Sequence, residues 1–244
     1  MSPTGLPMRG AGAKSVPLLE ASPPLRACLL SGGVSRRMGR DKALLLHPEG
    51  GTWLERTLRL LLTLDIPVTL FSRHDQHLQL VRALPAAREA GDDGRPAPRI
   101  SPLAEPAPWE GPLLALLRLM QRYPDQRLLL CPVDMPWLNR QALHTLLQAA
   151  AGEPERIHLA HDGEHCQPVL GVYPSAAPLR TALAAAVQRG ERRLQGWLAS
   201  QAPREVRLER QALRNVNRPG ELTPGTEHHA SPQTEGAPPP RHLP

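Results

Sequence analysis

Apolar residues along this chain fall into short continuous runs, and between them lie longer stretches where they recur every three or four positions. That alternation is the pattern of strands buried on both faces of a parallel sheet, connected by amphipathic helices. Arg26–Leu30 reads as a first buried strand. Thr52-Trp-Leu-Glu55 has the spacing of a capping box, in which the threonine and glutamate satisfy free amides at a helix start, and the helix should run to about Leu64. Pro67–Ser72 reads as a second strand and Arg82–Pro98 as loop or a short irregular element. Gly111–Arg122 carries helical spacing. Arg127–Cys131 is the most apolar strand and Pro132 stops it. Asn139 is placed to cap a helix to Ala150. Ile157–His161 and Gln167–Tyr173 flank Asp162-Gly163, a turn between strands. Helices near Ala177–Gln188 and Glu191–Ala199 and a strand at Glu205–Leu208 complete the pattern. The expected architecture is a three-layer α/β fold with a mostly parallel central sheet.

The ends break the pattern. Residues 1–24 hold five prolines, residues 223–244 hold six, and neither stretch offers a periodic apolar face. Both are expected to be disordered flanks of one domain spanning 25–222. With only 3% aromatic residues, the core must be aliphatic. Cys28, Cys131 and Cys166 have neither the number nor the spacing of a disulfide framework or a zinc site, which suits a reducing cytoplasm. No apolar run approaches the roughly 20 residues that span a bilayer. A cytoplasmic protein with no membrane partner is expected. The net charge of +6 comes from scattered arginines without interleaved aromatics, so no nucleic-acid partner is expected either. Of the 29 basic residues only Lys14 and Lys42 are lysines, and Lys42 follows an aspartate in a glycine-rich loop.

That loop, Leu30-Ser-Gly-Gly-Val-Ser-Arg-Arg-Met-Gly-Arg-Asp-Lys-Ala43, comes directly after the first strand, where open α/β sheets bind ligands. Gly32 and Gly33 let backbone amides approach phosphate oxygens. Arg36, Arg37 and Lys42 can neutralise a triphosphate and its transition state. The spacing is that of neither a Walker loop nor a dinucleotide-binding Gly-x-Gly-x-x-Gly. A second motif, Cys131-Pro-Val-Asp-Met-Pro136, sets Asp134 at the end of the most apolar strand. One carboxylate together with triphosphate oxygens and water is the usual way to hold Mg²⁺. His161 beside its turn reads as a packed or surface histidine, Cys166 as an inert thiol, and Gln167-Pro168 as an edge of the acceptor site.

The two motifs resemble those of the molybdenum cofactor guanylyltransferase family, whose loop reads Leu-x-Gly-Gly-x-Ser-x-Arg-Met-Gly-x-Asp-Lys. Gly111-Pro-Leu, His161-Asp-Gly-Glu164, Gly190-Glu-Arg-Arg193 and Asn215-Val-Asn-x-Pro219 extend the likeness over nearly all of Leu25 to Leu222. The resemblance implies a Rossmann-like nucleotidyltransferase fold. It implies GTP held by Leu30, Ser31, Gly32, Gly33, Lys42 and Asp134, with Mg²⁺ on Asp134 and charge neutralised by Lys42 and Arg37. It also places Asn215 and Asn217 beside the acceptor. The implied reaction is GMP transfer from GTP to the phosphate of molybdopterin, free or metal-loaded, with release of pyrophosphate. Apo-molybdoenzymes receiving the cofactor are the implied partners. The alternatives are a related cytidylyltransferase, a sugar-phosphate nucleotidyltransferase, and a non-catalytic nucleotide- or cofactor-binding module. Two family positions depart. The aspartate that some members place ahead of the Gly-Pro-Leu helix, in contact with the guanine nucleotide, corresponds to Ser101, followed by an insertion around Pro106 to Trp109. An asparagine after the second strand falls near Leu70 or Ser72.

Overall fold

The computed structural model describes residues 22–33, 40–84 and 100–216. Seven strands form one sheet in the order β3-β2-β1-β4-β6-β5-β7. They are β1 (Leu25–Leu30), β2 (Val68–Ser72), β3 (Ile100–Ala104), β4 (Arg127–Pro132), β5 (His158–His161), β6 (Cys166–Pro174) and β7 (Arg204–Arg207). β6 runs antiparallel to β4 and β5, and every other neighbouring pair is parallel. The sheet is therefore mostly parallel, as the sequence pattern requires.

Side chains alternate across β1 and β4. Ala27, Leu29, Leu129 and Cys131 enter one buried cluster, while Cys28, Leu128 and Leu130 enter another on the opposite face. Helices α1 (Trp53–Leu62), α2 (Asp75–Ala83) and α4 (Arg140–Gly152) cover the first face. Helices α3 (Pro112–Arg122), α5 (Ala177–Gln188) and α6 (Leu194–Leu198) cover the second. Burial on both faces explains why these strands read as continuous apolar runs.

Both helix caps form as the sequence predicts. Glu55 N donates to Thr52 Oγ1 at 3.2 Å while Thr52 N donates to Glu55 Oε2 at 2.7 Å. Ala142 N donates to Asn139 Oδ1 at 2.9 Å. The Asp162-Gly163 turn joins β5 to β6, with Gly163 at φ +101°.

Two elements have no counterpart in the sequence reading, α2 and β3. β3 is an edge strand of five residues carrying Ser101 and Pro102, partly exposed along its length, so its apolar signal is thin. The carbonyls of Pro23 and Pro24 accept from Arg127, which ties the chain down just ahead of β1. The boundary expected at Leu222 and the tail beyond it lie outside the described residues. Among the described residues no helix is long and apolar enough to cross a membrane.

Candidate active site

β1 winds to β2 and β3 on one side and the chain then returns to lay β4 on the other. The carboxyl ends of β1 and β4 thus flank the point where strand order reverses, the place where open α/β sheets leave a crevice for a ligand. Leu30 pairs with Pro132 in register, and Val133 N donates to Leu30 O at 3.2 Å, which sets the Asp134 turn against the start of the glycine loop. Val216 N donates to the carbonyl of Asp134 at 3.1 Å and braces that turn from behind.

A cleft of about 410 Å³ opens here. Leu30, Ser31, Gly32, Gly33, Lys42 and Asp134 all line it, so the structure brings these site residues together. Lys42 Nζ lies 3.4 Å from Asp134 Oδ2, with the two side chains 14% and 30% exposed. Lys42 opens a short 3-10 turn, Lys42–Leu44, whose first amides would otherwise lack acceptors. Asp41 caps it by accepting from Ala43 N at 3.0 Å. Ser31 N is committed to Phe71 O at 3.2 Å. The amides of Gly32 and Gly33 take no backbone acceptor among the described residues, and both residues line the cleft. Arg37 and Asn217 lie outside the described residues.

A further wall of the cleft is built by residues that the sequence alone does not mark. Ser101 is an exposed residue of β3 and does not line the cleft; Glu105, the acidic residue just past the strand, does. The signal was present as an acidic residue ahead of Gly111-Pro112, but it becomes readable only once β3 is recognised. A Cβ on Gly32 would lie 2.6 Å from Glu105 Oε2, so the carboxylate lies directly against the glycine loop. Burial pushes the Glu105 carboxyl above its ordinary value, opposed by the Arg118 and Arg73 guanidiniums. Arg118 Nη1 sits 3.6 Å from Glu105 Oε1. Trp109 stands half-exposed at the rim, held by its Nε1 donating to Glu105 O at 3.0 Å, with Arg73 stacked over its ring. Neither Leu70 nor Ser72 reaches the cleft, because both point into the protein; Phe71 and Arg73 line it instead. Gly111, at φ +94°, turns the chain so that the N-terminal end of α3 meets the cleft.

The remaining candidates divide. Asn215 donates from Nδ2 to Gln167 Oε1 at 3.3 Å, and its buried Oδ1 has no partner among the described residues. The pair adjoins the Asp134 turn through Val216, on the β6 side of β4, whereas Glu105 follows β3 at the opposite edge of the sheet. His161 is a turn residue, accepting from Gly163 N at 2.9 Å. Burial lifts the Cys166 thiol to about 11, which keeps it protonated and inert. Among the described residues no cluster of three or more His, Cys, Asp or Glu side chains could enclose a metal. Asp134 is a single, partly exposed hard carboxylate on the cleft wall. That fits one bond to a divalent ion whose other ligands are phosphate oxygens and water.

Residues 27–206 match the family described as the MobA-like NTP transferase domain. A protein of Rhodopirellula baltica named "Probable molybdenum cofactor guanylyltransferase" is 35% identical over 84% of this chain and 92% of its own length. The molybdenum cofactor guanylyltransferase of Pseudomonas syringae pv. syringae is 31% identical over 82% of this chain and 92% of its own. The crystal structure of molybdopterin-guanine dinucleotide biosynthesis protein A from Archaeoglobus fulgidus superposes with a TM-score of 0.58 at 16% identity. That match covers 81% of this chain and 94% of the other. At that identity the likeness establishes the nucleotidyltransferase fold.

Proposed function

The chain belongs to the MobA-like NTP transferase family, and from that membership we propose that it is a molybdenum cofactor guanylyltransferase. It transfers GMP from GTP to the terminal phosphate of molybdopterin. The observation that carries this reading is the Lys42–Asp134 pair, 3.4 Å apart beneath the glycine loop at the strand-order reversal. A binding module needs an anion cradle; it has no need of an ammonium and a metal-binding carboxylate at the same phosphate position.

In the proposed step an oxygen of the molybdopterin phosphate bonds to the α-phosphorus of GTP, and the bond from that phosphorus to the β-phosphate oxygen breaks. Pyrophosphate carries away the electron pair. The acceptor phosphate is already ionised at neutral pH, so no general base is required. Positioning and charge neutralisation then supply most of the rate. Gly32 and Gly33 present amides to the triphosphate, Lys42 offers its ammonium to phosphate oxygens, and Arg37 adds a second cation. Bound at Asp134, Mg²⁺ would supply Lewis-acid neutralisation of the phosphate charge. Asn215 is assigned to the pterin, and the family motif adds Asn217 to that role.

Glu105 is the group that distinguishes guanine. A carboxylate accepts two parallel hydrogen bonds, and guanine offers adjacent N1–H and N2–H donors. Cytosine and adenine each set one amino donor beside a ring acceptor, which a carboxylate repels. This favours guanylyl over cytidylyl transfer. Pyrophosphate release measured with GTP, CTP, ATP and UTP, each with and without molybdopterin, tests the reading. Molybdopterin-dependent release with GTP is expected. Release with CTP in preference to GTP, or release that ignores the pterin, would overturn it.

A further inference from the structure

The glycine motif begins at Ser31 and closes at Asp41 and Lys42, and one side chain touches both Ser31 and Asp41. His77, on α2, is fully buried. Its Nε2 lies 2.8 Å from Asp41 Oδ2, and its Nδ1 lies 3.1 Å from Ser31 Oγ and 3.1 Å from Ser72 Oγ. We propose that His77 is a positioning residue for nucleotide binding, clamping the two ends of the phosphate loop together so that Lys42 and the Gly32–Gly33 amides hold one arrangement. The inference rests on the reading of this loop as a triphosphate cradle.

The hydrogen bonds can be assigned proton by proton. Asp41 is an acceptor only, so Nε2 carries the imidazole proton and donates it. Nδ1 is then the acceptor. Ser72 Oγ already accepts from His74 N at 3.1 Å and is placed to donate to Ser31 O at 3.4 Å. Ser31 Oγ and Ser72 Oγ each lie 3.1 Å from Nδ1, and a hydroxyl proton from either satisfies it. Ser31 thus turns its hydroxyl down into the protein and shows the cleft its main chain, a placement that a solvent-facing serine would not adopt. At the other end both oxygens of Asp41 are used, Oδ1 by Ala43 N and Oδ2 by His77. Asp41 is held from two directions, and it starts the short turn on which Lys42 stands. One turn earlier on the same segment, His74 Nε2 lies 3.3 Å from the carbonyl of Gly33. The segment at the start of α2 is the back wall of the loop.

A neutral histidine is suited to this place. Burial holds its protonation down, against the pull of Asp41. It spans the gap between Ser31 and Asp41 with one acceptor and one donor on a rigid ring, so little rotamer freedom is lost per bond. No motif of the sequence marks it. His77 lies in a helix whose pattern is weak, and its role depends on two residues 46 and 36 positions away.

The test compares the parent with His77→Leu, which fills the space without a donor or acceptor, and His77→Gln, which keeps a donor toward Asp41. The probes are inorganic triphosphate, GTP and guanosine, with Mg²⁺ present throughout. His77→Leu should weaken triphosphate and GTP binding by roughly tenfold or more, since a hydrogen bond to a charged group is lost and two partners are left unsatisfied. Guanosine affinity should stay the same, and His77→Gln should recover most of the loss. Triphosphate and GTP binding by His77→Leu within twofold of the parent would overturn the proposal. So would equal losses for all three probes in both variants, the mark of general core damage. Should His77→Leu fail to fold, His77→Gln decides: triphosphate affinity must fall below the parent's with guanosine unchanged, and parent-like triphosphate affinity overturns the clamp. A parent that binds triphosphate well without preferring GTP would count against the guanine reading and leave the clamp standing.

Discussion

Lys42→Arg is the substitution a solvated loop would ignore and a triphosphate cradle would not. The parent chain writes arginine at 27 of its 29 basic positions, so a lysine without a specific duty should exchange freely. Lys42 is only 14% exposed, stands on a capped turn beside buried Ala43, and brings its ammonium to 3.4 Å from Asp134. A guanidinium is planar, wider and differently directed, and does not reproduce the compact ammonium beside Asp134. The bond at risk is a charged hydrogen bond worth roughly 1.5–3 kcal/mol, or about 10- to 150-fold in affinity. The Lys42–Asp134 attraction is not added to this figure, because Asp134 is about a third exposed and solvent screens the pair. Lys42→Arg is thus expected to lose most of that factor in GTP binding and in the initial rate of pyrophosphate release, and Lys42→Ala at least as much. Lys14→Arg serves as the control and should behave as the parent. Calorimetric titration with GTP and a coupled pyrophosphate assay read both quantities. If Lys42→Arg binds and turns over GTP like the parent, Lys42 does not grip phosphate and the site assignment fails.

Three further outcomes are expected. Asp134→Asn should lower turnover by on the order of 10²–10³ at matched Mg²⁺ with the melting temperature little changed; parent-like turnover would remove the metal from this residue. Glu105→Gln replaces one acceptor with a donor, so the preference for GTP over ATP should drop by roughly tenfold while inorganic triphosphate binds as before; an unchanged preference would place the base elsewhere. His47, His77 and His158 all have their pKa lowered from 6.5, in each case first by burial. Below about 6.5 the unfolded chain therefore takes up protons that the folded chain resists, and stability must fall as pH drops from 7.5 toward 5.5. Glu105, raised by burial, works in the opposite sense but nearer the carboxylate range. A melting temperature that rises on acidification across that window would contradict the burial of these imidazoles.

The parts of the site legible in the sequence are those where chemistry directly follows a doubly buried strand. β1 and β4 announce themselves as apolar runs, so the Ser31–Gly33 loop and Asp134 could be placed at their carboxyl ends. Their adjacency, Leu30 beside Pro132, is supplied by the sheet order and not by the apolar pattern. The Glu105 wall of the cleft was illegible for a physical reason. β3 sits at the sheet edge with Ser101 and Pro102 in a half-exposed run, so nothing in the pattern marks the strand that carries Glu105 to the cleft. α2 escaped because a buried histidine occupies a position where the helical pattern calls for an aliphatic residue. A polar residue at a core position signals function only after its partners are seen, and the partners of His77 are supplied by tertiary folding alone.

The central claim is tested most directly by the mass of the pterin. The protein is incubated with molybdopterin, Mg²⁺ and an equimolar mixture of the four nucleoside triphosphates, and the pterin is recovered and weighed by mass spectrometry. A single new species is expected, molybdopterin joined to GMP through a pyrophosphate linkage, absent when Lys42→Ala replaces the parent. A pterin bearing CMP, or a pterin recovered unchanged from a protein that still binds GTP, would contradict it.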